Sequence, residues 1–222
     1  MVASSDPLPN EDLLNRAKCL IIPGSDLSVY NDYDFLRKTE TFLNKLINDM
    51  LFHNKYQNLK LLGICFGMEI FISALGGKIS NMGKGIFQKY PEDIMIDDSF
   101  WELNFVKKTN LPPMKNLRLC EAHGDFIDEY PEKYGFKLMG TSASCKCEVL
   151  VDKEEKILMI QGHPEYFSPF NYNRIGKLFL LRTEKNVTDE AVIQFIEKEL
   201  QQPQCQNINI NEWRTICYSF MK

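Results

Sequence analysis

The chain has 222 residues, a formal net charge of −4 and a pI near 5.5, with 44% hydrophobic and 25% charged residues. This is the balance of one globular domain large enough for a proper core. An acidic chain with no basic block interleaved with aromatics is not built as a general nucleic-acid surface, and no apolar run approaches the roughly 18 residues of a membrane span. The first residues lack the basic and apolar regions of a signal peptide. Seven cysteines, odd in number and irregularly spaced, suit free thiols in a reducing compartment, so a cytosolic protein is expected.

In chain order, a polar start leads to a helical turn around Glu11 to Arg16, then to a strand, Ala17 to Ile22, stopped by Pro23-Gly24-Ser25. Apolar residues from Phe35 to Leu51 recur every three or four positions and predict an amphipathic helix from Asp34 to about Phe52. A second apolar strand from Leu59 to Ile64 runs into Cys65, and a helix follows to Leu75, stopped by Gly76-Gly77. Strand, helix, strand, helix implies parallel neighbours, with sites at the carboxyl ends of the strands. The middle of the chain predicts shorter strands at 86–90, 93–96, 117–120, 136–140, 148–151 and 156–161, with a hairpin turn at Asp152 to Glu155. The last third predicts helices at 168–182, 188–201 and 209–220. The expected fold is a single α/β domain over 1–222. It is a flavodoxin-like three-layer sandwich with a mostly parallel central sheet, a small antiparallel extension and a helical C-terminal extension from about 186.

Gly63-Ile64-Cys65-Phe66-Gly67 has the layout of a nucleophile elbow, a sharp strand-to-helix turn that needs small flanking residues. A cysteine there meets a helix N-terminus, which favours thiolate, and the Phe66 N–H is placed to donate to an oxyanion. A cysteine nucleophile needs a base, and Gln161-Gly162-His163-Pro164-Glu165 offers one at a strand end. Glu165, two residues on, projects to the same side as His163 and can hold its tautomer. His123, in Glu121-Ala122-His123-Gly124-Asp125, is either a rival base or part of a loop bordering the site. His53 reads as solvated. Cys145-Lys146-Cys147 has no matching second pair, and no ligand pair has the spacing of a preformed centre, so no metal or other cofactor is expected.

Taken together these motifs resemble the class I glutamine amidotransferase family, closest to its GMP-synthase-like and γ-glutamyl peptidase-like members. The elbow, the Gly162–Glu165 run, Pro23 to Tyr30, Ala74 to Lys78 and Ala122 to Asp125 occur in matching order. The resemblance implies Cys65 as nucleophile, His163 as general base and acid, and Glu165 as orienter. It implies an oxyanion hole from the Gly24 and Phe66 backbone, and substrate contacts from Ser25, Glu69, His123, Gly124 and Asp125. The implied reaction is hydrolysis of a γ-glutamyl amide, in glutamine or a γ-glutamyl peptide, through a thioester. The alternatives are a subunit feeding ammonia to a separate synthetase, and a degenerate domain that only binds a partner. The chain departs from the family pattern at Glu69, where glutamine is usual. With only 22 residues before Pro23, most of the family's first βα unit is expected to be absent, through a truncated chain or a lost strand, and no Gly-rich P-loop pattern occurs.

Overall fold

The computed structural model describes residues 7–83, 91–166 and 208–222, together with Glu190 and Gln194. The strand expected at 86–90 and the helices expected at 168–182 and 188–201 lie outside these residues. Helix α1 (Glu11–Arg16) starts at Asn10, whose side chain accepts from the Leu13 N–H, and leads into β1 (Cys19–Ile22). The amphipathic pattern forms α2 (Asp34–Phe52), which buries Leu36, Leu43, Leu46, Ile47 and Met50. Strand β2 (Lys60–Ile64) follows, then α3 (Phe66–Ala74), whose residues from Phe66 to Ile72 are all buried. Such a helix is apolar all round because it lies between the sheet and α2. It ends as expected, with Gly76 in the left-handed region at φ 82°.

The remaining strands are β3 (Lys78–Asn81), β4 (Glu92–Ile96), β5 (Asn116–Leu119), β6 (Asp125–Glu129), β7 (Phe136–Thr141), β8 (Val149–Asp152) and β9 (Ile157–Ile160). Between β4 and β5 come a 3₁₀ turn (Asp98–Glu102) and the short α4 (Asn104–Lys107); α5 (Ile210–Met221) closes the described chain.

Seven strands form one sheet in the order β1-β2-β9-β8-β7-β4-β5, and β3 pairs with β6 separately. Only β1–β2 and β2–β9 are parallel; β9–β8, β8–β7, β7–β4 and β4–β5 are antiparallel. The expectation of a mostly parallel sheet with a small antiparallel extension is therefore wrong. The fold is an α/β sandwich on a mixed, mostly antiparallel sheet. The reason is connection length. A parallel partner needs a long crossover, which α2 supplies between β1 and β2. Between β8 and β9 there are only four residues, and Asp152 ties them into a hairpin by accepting from the backbone N–H groups of Glu154, Lys156 and Ile157.

Alternate residues of the central strands feed two cores. Leu61, Ile157 and Met159 face α2 and α3. Leu62, Ile64, Leu158 and Ile160 face the other side, where Phe100, Phe105, Trp213 and Phe220 pack. Helix α5 is held there by Lys60 Nζ on the Phe220 carbonyl and by Asn209, whose side chain accepts from the Arg118 N–H. The parallel strands β1, β2 and β9 all end on one side, and the three loops singled out from the sequence start there.

Candidate active site

Cys65 sits between β2 and α3 with φ 50° and ψ −111°. A β-substituted residue is costly in that region, at about 1–3 kcal/mol, and persists only where its surroundings impose it. The constraints are visible. The Cys65 N–H donates to the Ile160 carbonyl at 2.8 Å, and the Cys65 carbonyl accepts from Glu69 at 3.1 Å to open the helix. The flanking glycines are required by close approach. A Cβ on Gly67 would lie 1.9 Å from the Ile22 carbonyl oxygen, and one on Gly63 would lie 2.8 Å from the Gly67 oxygen. The first turn of α3 therefore packs directly on the end of β1.

The Pro23-Gly24-Ser25 loop and the end of β9 meet at this elbow. A Cβ on Gly24 would stand 2.6 Å from His163 Cε1 and 3.6 Å from Cys65 Cβ. Gly24, Cys65 and His163 thus meet so closely that a side chain at position 24 would displace the ring. His163 is 2% exposed, and its Nδ1 lies 2.8 Å from Glu165 Oε1. Its N–H donates to the Cys120 carbonyl at 2.8 Å, and its ring stacks on Tyr166 with centroids 4.0 Å apart and planes 6° from parallel. The ring is thus fixed by a carboxylate, its own backbone and an aromatic face. Sequence reasoning missed Tyr166; the only signal was an aromatic directly after His-Pro-Glu.

Burial pushes the Cys65 thiol well above its ordinary value, and the charge of Glu69 adds to this; the Phe66 N–H, bonded to the sulfur, works the other way. Desolvation thus opposes, and outweighs, the pull toward thiolate expected from the helix terminus. Glu69 is itself buried, and its carboxyl is raised to about 7 by burial, against a hydrogen bond from Gln161 Nε2 at 3.1 Å.

The other expected residues are placed as follows. The Ala122 carbonyl is 3.9 Å from Cys65 Sγ, so the 121–125 loop does border the elbow. The carboxylate of Asp125 is occupied by Ser28 Oγ and Asn81 Nδ2, which ties that loop to the segment after Gly24 and to the β3–β6 pair. The Gly124 carbonyl accepts from Met82, and Ser25 Oγ accepts from Leu27. His123 is buried, with Nδ1 on the Asp125 carbonyl at 2.8 Å and Nε2 turned toward Glu121. His53 lies apart, on Asp49. One grouping was invisible to spacing: Glu148, directly before β8, comes beside Glu121 and His123, which precede it by more than twenty residues. Glu-x-His at a strand end was its only trace in the sequence.

The family model described as glutamine amidotransferase class-I matches residues 40–182. The chain belongs to the class I glutamine amidotransferase family. The matched stretch includes Cys65, His163 and Glu165 but begins after Gly24. Among the relatives of this amidotransferase chain is γ-glutamyl peptidase 4 of Arabidopsis thaliana, 28% identical over 96% of this chain and 77% of that protein. Another is the glutamine-hydrolysing GMP synthase of Streptococcus mutans, 30% identical over 82% of this chain but only 31% of the synthase. Crystal structures of glutamine amidotransferases from Thermotoga maritima and Methylobacillus flagellatus share the fold. Their TM-scores are 0.62 and 0.63, at 16% and 15% identity, over 92% and 98% of this chain and 78% of each of theirs.

Proposed function

We propose that this amidotransferase-family chain hydrolyses γ-glutamyl amide bonds, in glutamine or in a γ-glutamyl peptide, with Cys65, His163 and Glu165 acting in turn. The observation that carries this reading is the meeting at Gly24. A cysteine in a strained turn and a histidine braced by a carboxylate face each other across a space that only glycine leaves open.

The substrate carbonyl enters that space. His163 takes the proton from the neutral Cys65 thiol as sulfur bonds to the carbonyl carbon, so the buried anion need not exist beforehand. The resulting oxyanion is held by the backbone N–H groups of Gly24 and Phe66. His163 then returns the proton to the leaving nitrogen as the C–N bond breaks, releasing ammonia or an amine and leaving a thioester. Water, deprotonated by His163, cleaves the thioester to glutamate and restores the thiol. Glu165 keeps the His163 Nδ1 proton in place and steadies the imidazolium. Ser25, Glu69 and the loop from His123 to Asp125 shape the pocket for the glutamyl end, with Asp125 acting through its ties to Ser28 and Asn81. All six cysteines among the described residues are free, which suits a cytosolic enzyme. No helix among the described residues is long and apolar enough to cross a membrane.

The test is glutamate release from L-glutamine and from a γ-glutamyl dipeptide, with Cys65→Ala alongside. Release from the peptide alone, abolished by the substitution, identifies a peptidase. Turnover of glutamine points to a subunit that supplies ammonia to a synthetase, as the synthase relatives suggest. A folded protein that cleaves neither sinks the hydrolase reading.

A further inference from the structure

Behind the strand end that carries His163 lies a group of side chains to which the bond-breaking steps assign no role. Glu121, His123 and Glu148 each offer one ligand atom, and these atoms all lie within 4.8 Å of one another. The three residues are 1%, 2% and 0% exposed. His123 donates from Nδ1 to the Asp125 carbonyl at 2.8 Å, which leaves the lone pair on Nε2. That nitrogen faces Glu121 Oε2 at 3.4 Å and has no hydrogen-bond partner. Neither oxygen of Glu121 has one. Glu148 Oε1 accepts from Ser142 Oγ, but its Oε2 is also unpartnered.

These groups converge as acceptors, and acceptors cannot satisfy one another. Burying two carboxylates beside an imidazole lone pair is costly unless a positive charge or shared protons stand between them.

We propose that Glu121, His123 and Glu148 bind a divalent transition-metal ion of the zinc or manganese class. One imidazole nitrogen with carboxylate oxygens is a donor set such ions accept, and a dication balances the two carboxylates. The Nδ1–H bond of His123 to a backbone carbonyl is the outer contact that fixes a ligating histidine in the required tautomer. Burial to 2% or less makes the site a closed one, filled as the chain folds, so its effect is on structure. Its position gives that structure a purpose. A Cβ on Gly162 would meet Glu121 Oε1 at 2.3 Å, and the neighbouring Cys120 carbonyl receives the His163 N–H. An ion on Glu121 braces the backbone on both sides of His163. The inference stands whether or not the chain is a hydrolase.

The test uses the whole 222-residue chain. Protein purified without chelator is assayed for metals by mass spectrometry, then unfolded with chelator and refolded with Zn²⁺, with Mn²⁺ or with none. About one equivalent of retained metal is expected. The melting temperature should rise by about 5–10 °C at a hundredfold excess of ion over its Kd. The size of the rise with each ion decides between zinc and manganese. Cobalt(II) refolding should add a visible absorption band. Glu148→Gln, which keeps the side-chain shape, should lose the retained metal, the thermal shift and the band; His123→Ala should do the same if it folds. Metal-free protein whose melting is the same with and without every ion overturns the proposal and leaves shared protons as the balance. Metal retained equally by Glu148→Gln overturns the site assignment.

Discussion

Gln161 at the end of β9 donates through Nε2 to Glu69 Oε1 on the first turn of α3, at 3.1 Å, with both side chains buried. The bond links the strand that leads to His163 with the helix that starts at Cys65. It also sets on that turn a carboxyl that burial raises to about 7.

The folded pKa of Glu69 is raised, so the folded state holds this proton more tightly than the unfolded chain. The stability it contributes is fully present below pH 4.5 and is lost as pH rises through about 7. Glu69→Gln should therefore melt like the parent at pH 4.5 and above it at pH 8, by at most about 3 kcal/mol. It should also lower the barrier to thiolate formation at Cys65, shifting the alkaline limb of the activity profile to lower pH. Chemical denaturation at the two pH values checks the first, and a pH–rate series the second. A gain of equal size at both would refute the assignment.

Removing Glu165 should damage the chemistry far more than the fold, because its side chain is partly exposed and its carboxylate holds His163 Nδ1. Glu165→Gln should lower kcat by about 10²–10⁴ with little change in KM. Steady-state kinetics on whichever amide is cleaved decide this. A loss confined to KM would make Glu165 a substrate contact.

Gly24→Ala should lower turnover by about 10²-fold while leaving the melting temperature within a few degrees of the parent. The methyl group would occupy the space between Cys65 and His163 and push the ring aside, and a displacement near 1 Å costs about 10²-fold. Gly67→Ala, whose methyl would strike the Ile22 carbonyl, should instead fail to accumulate as folded protein. Circular dichroism beside activity separates the two failures.

The backbone strain at Cys65 can be measured without activity. Cys65→Gly and Cys65→Ala both delete the thiol, yet only glycine accepts φ 50° freely. The glycine variant should be the more stable by about 1–3 kcal/mol, the relief of strain adding to glycine's ordinary advantage over alanine at an N-cap. Urea titrations of the pair give the sign.

Much of the site could be read from residue order. Apolar runs ending in Pro23-Gly24 and in Gly63-Ile64-Cys65 mark where β1 and β2 stop, and stopping points are what a strand-end site requires. Strand direction was another matter. The alternation in Glu92–Ile96 looks the same whether its neighbour runs with it or against it, and only the pairing of Met95 with Thr141 and of Ile94 with Leu117 decides. The opposing effect of burial on the thiol was hidden for a related reason. A helix terminus shows in local sequence, but the burial of Cys65 depends on distant segments such as the 121–125 loop, whose Ala122 carbonyl lies 3.9 Å from Sγ. Glu148 escaped notice in the same way, since β8 brings it to Glu121 only after the sheet has formed.

The chain's two tryptophans, Trp101 and Trp213, both lie in the core on the α5 side of the sheet. No tryptophan packs against α2 or α3. Intrinsic fluorescence is therefore an optical reporter for one half of the molecule and nearly blind to the other, whereas far-ultraviolet dichroism weighs the long helix α2 heavily. If the two signals are followed together through a denaturant gradient, coincident curves mean that the sheet makes both faces melt as a unit. Separated curves would show that the face holding α5 can come apart while the bed of α3, on which Cys65 rests, is still in place.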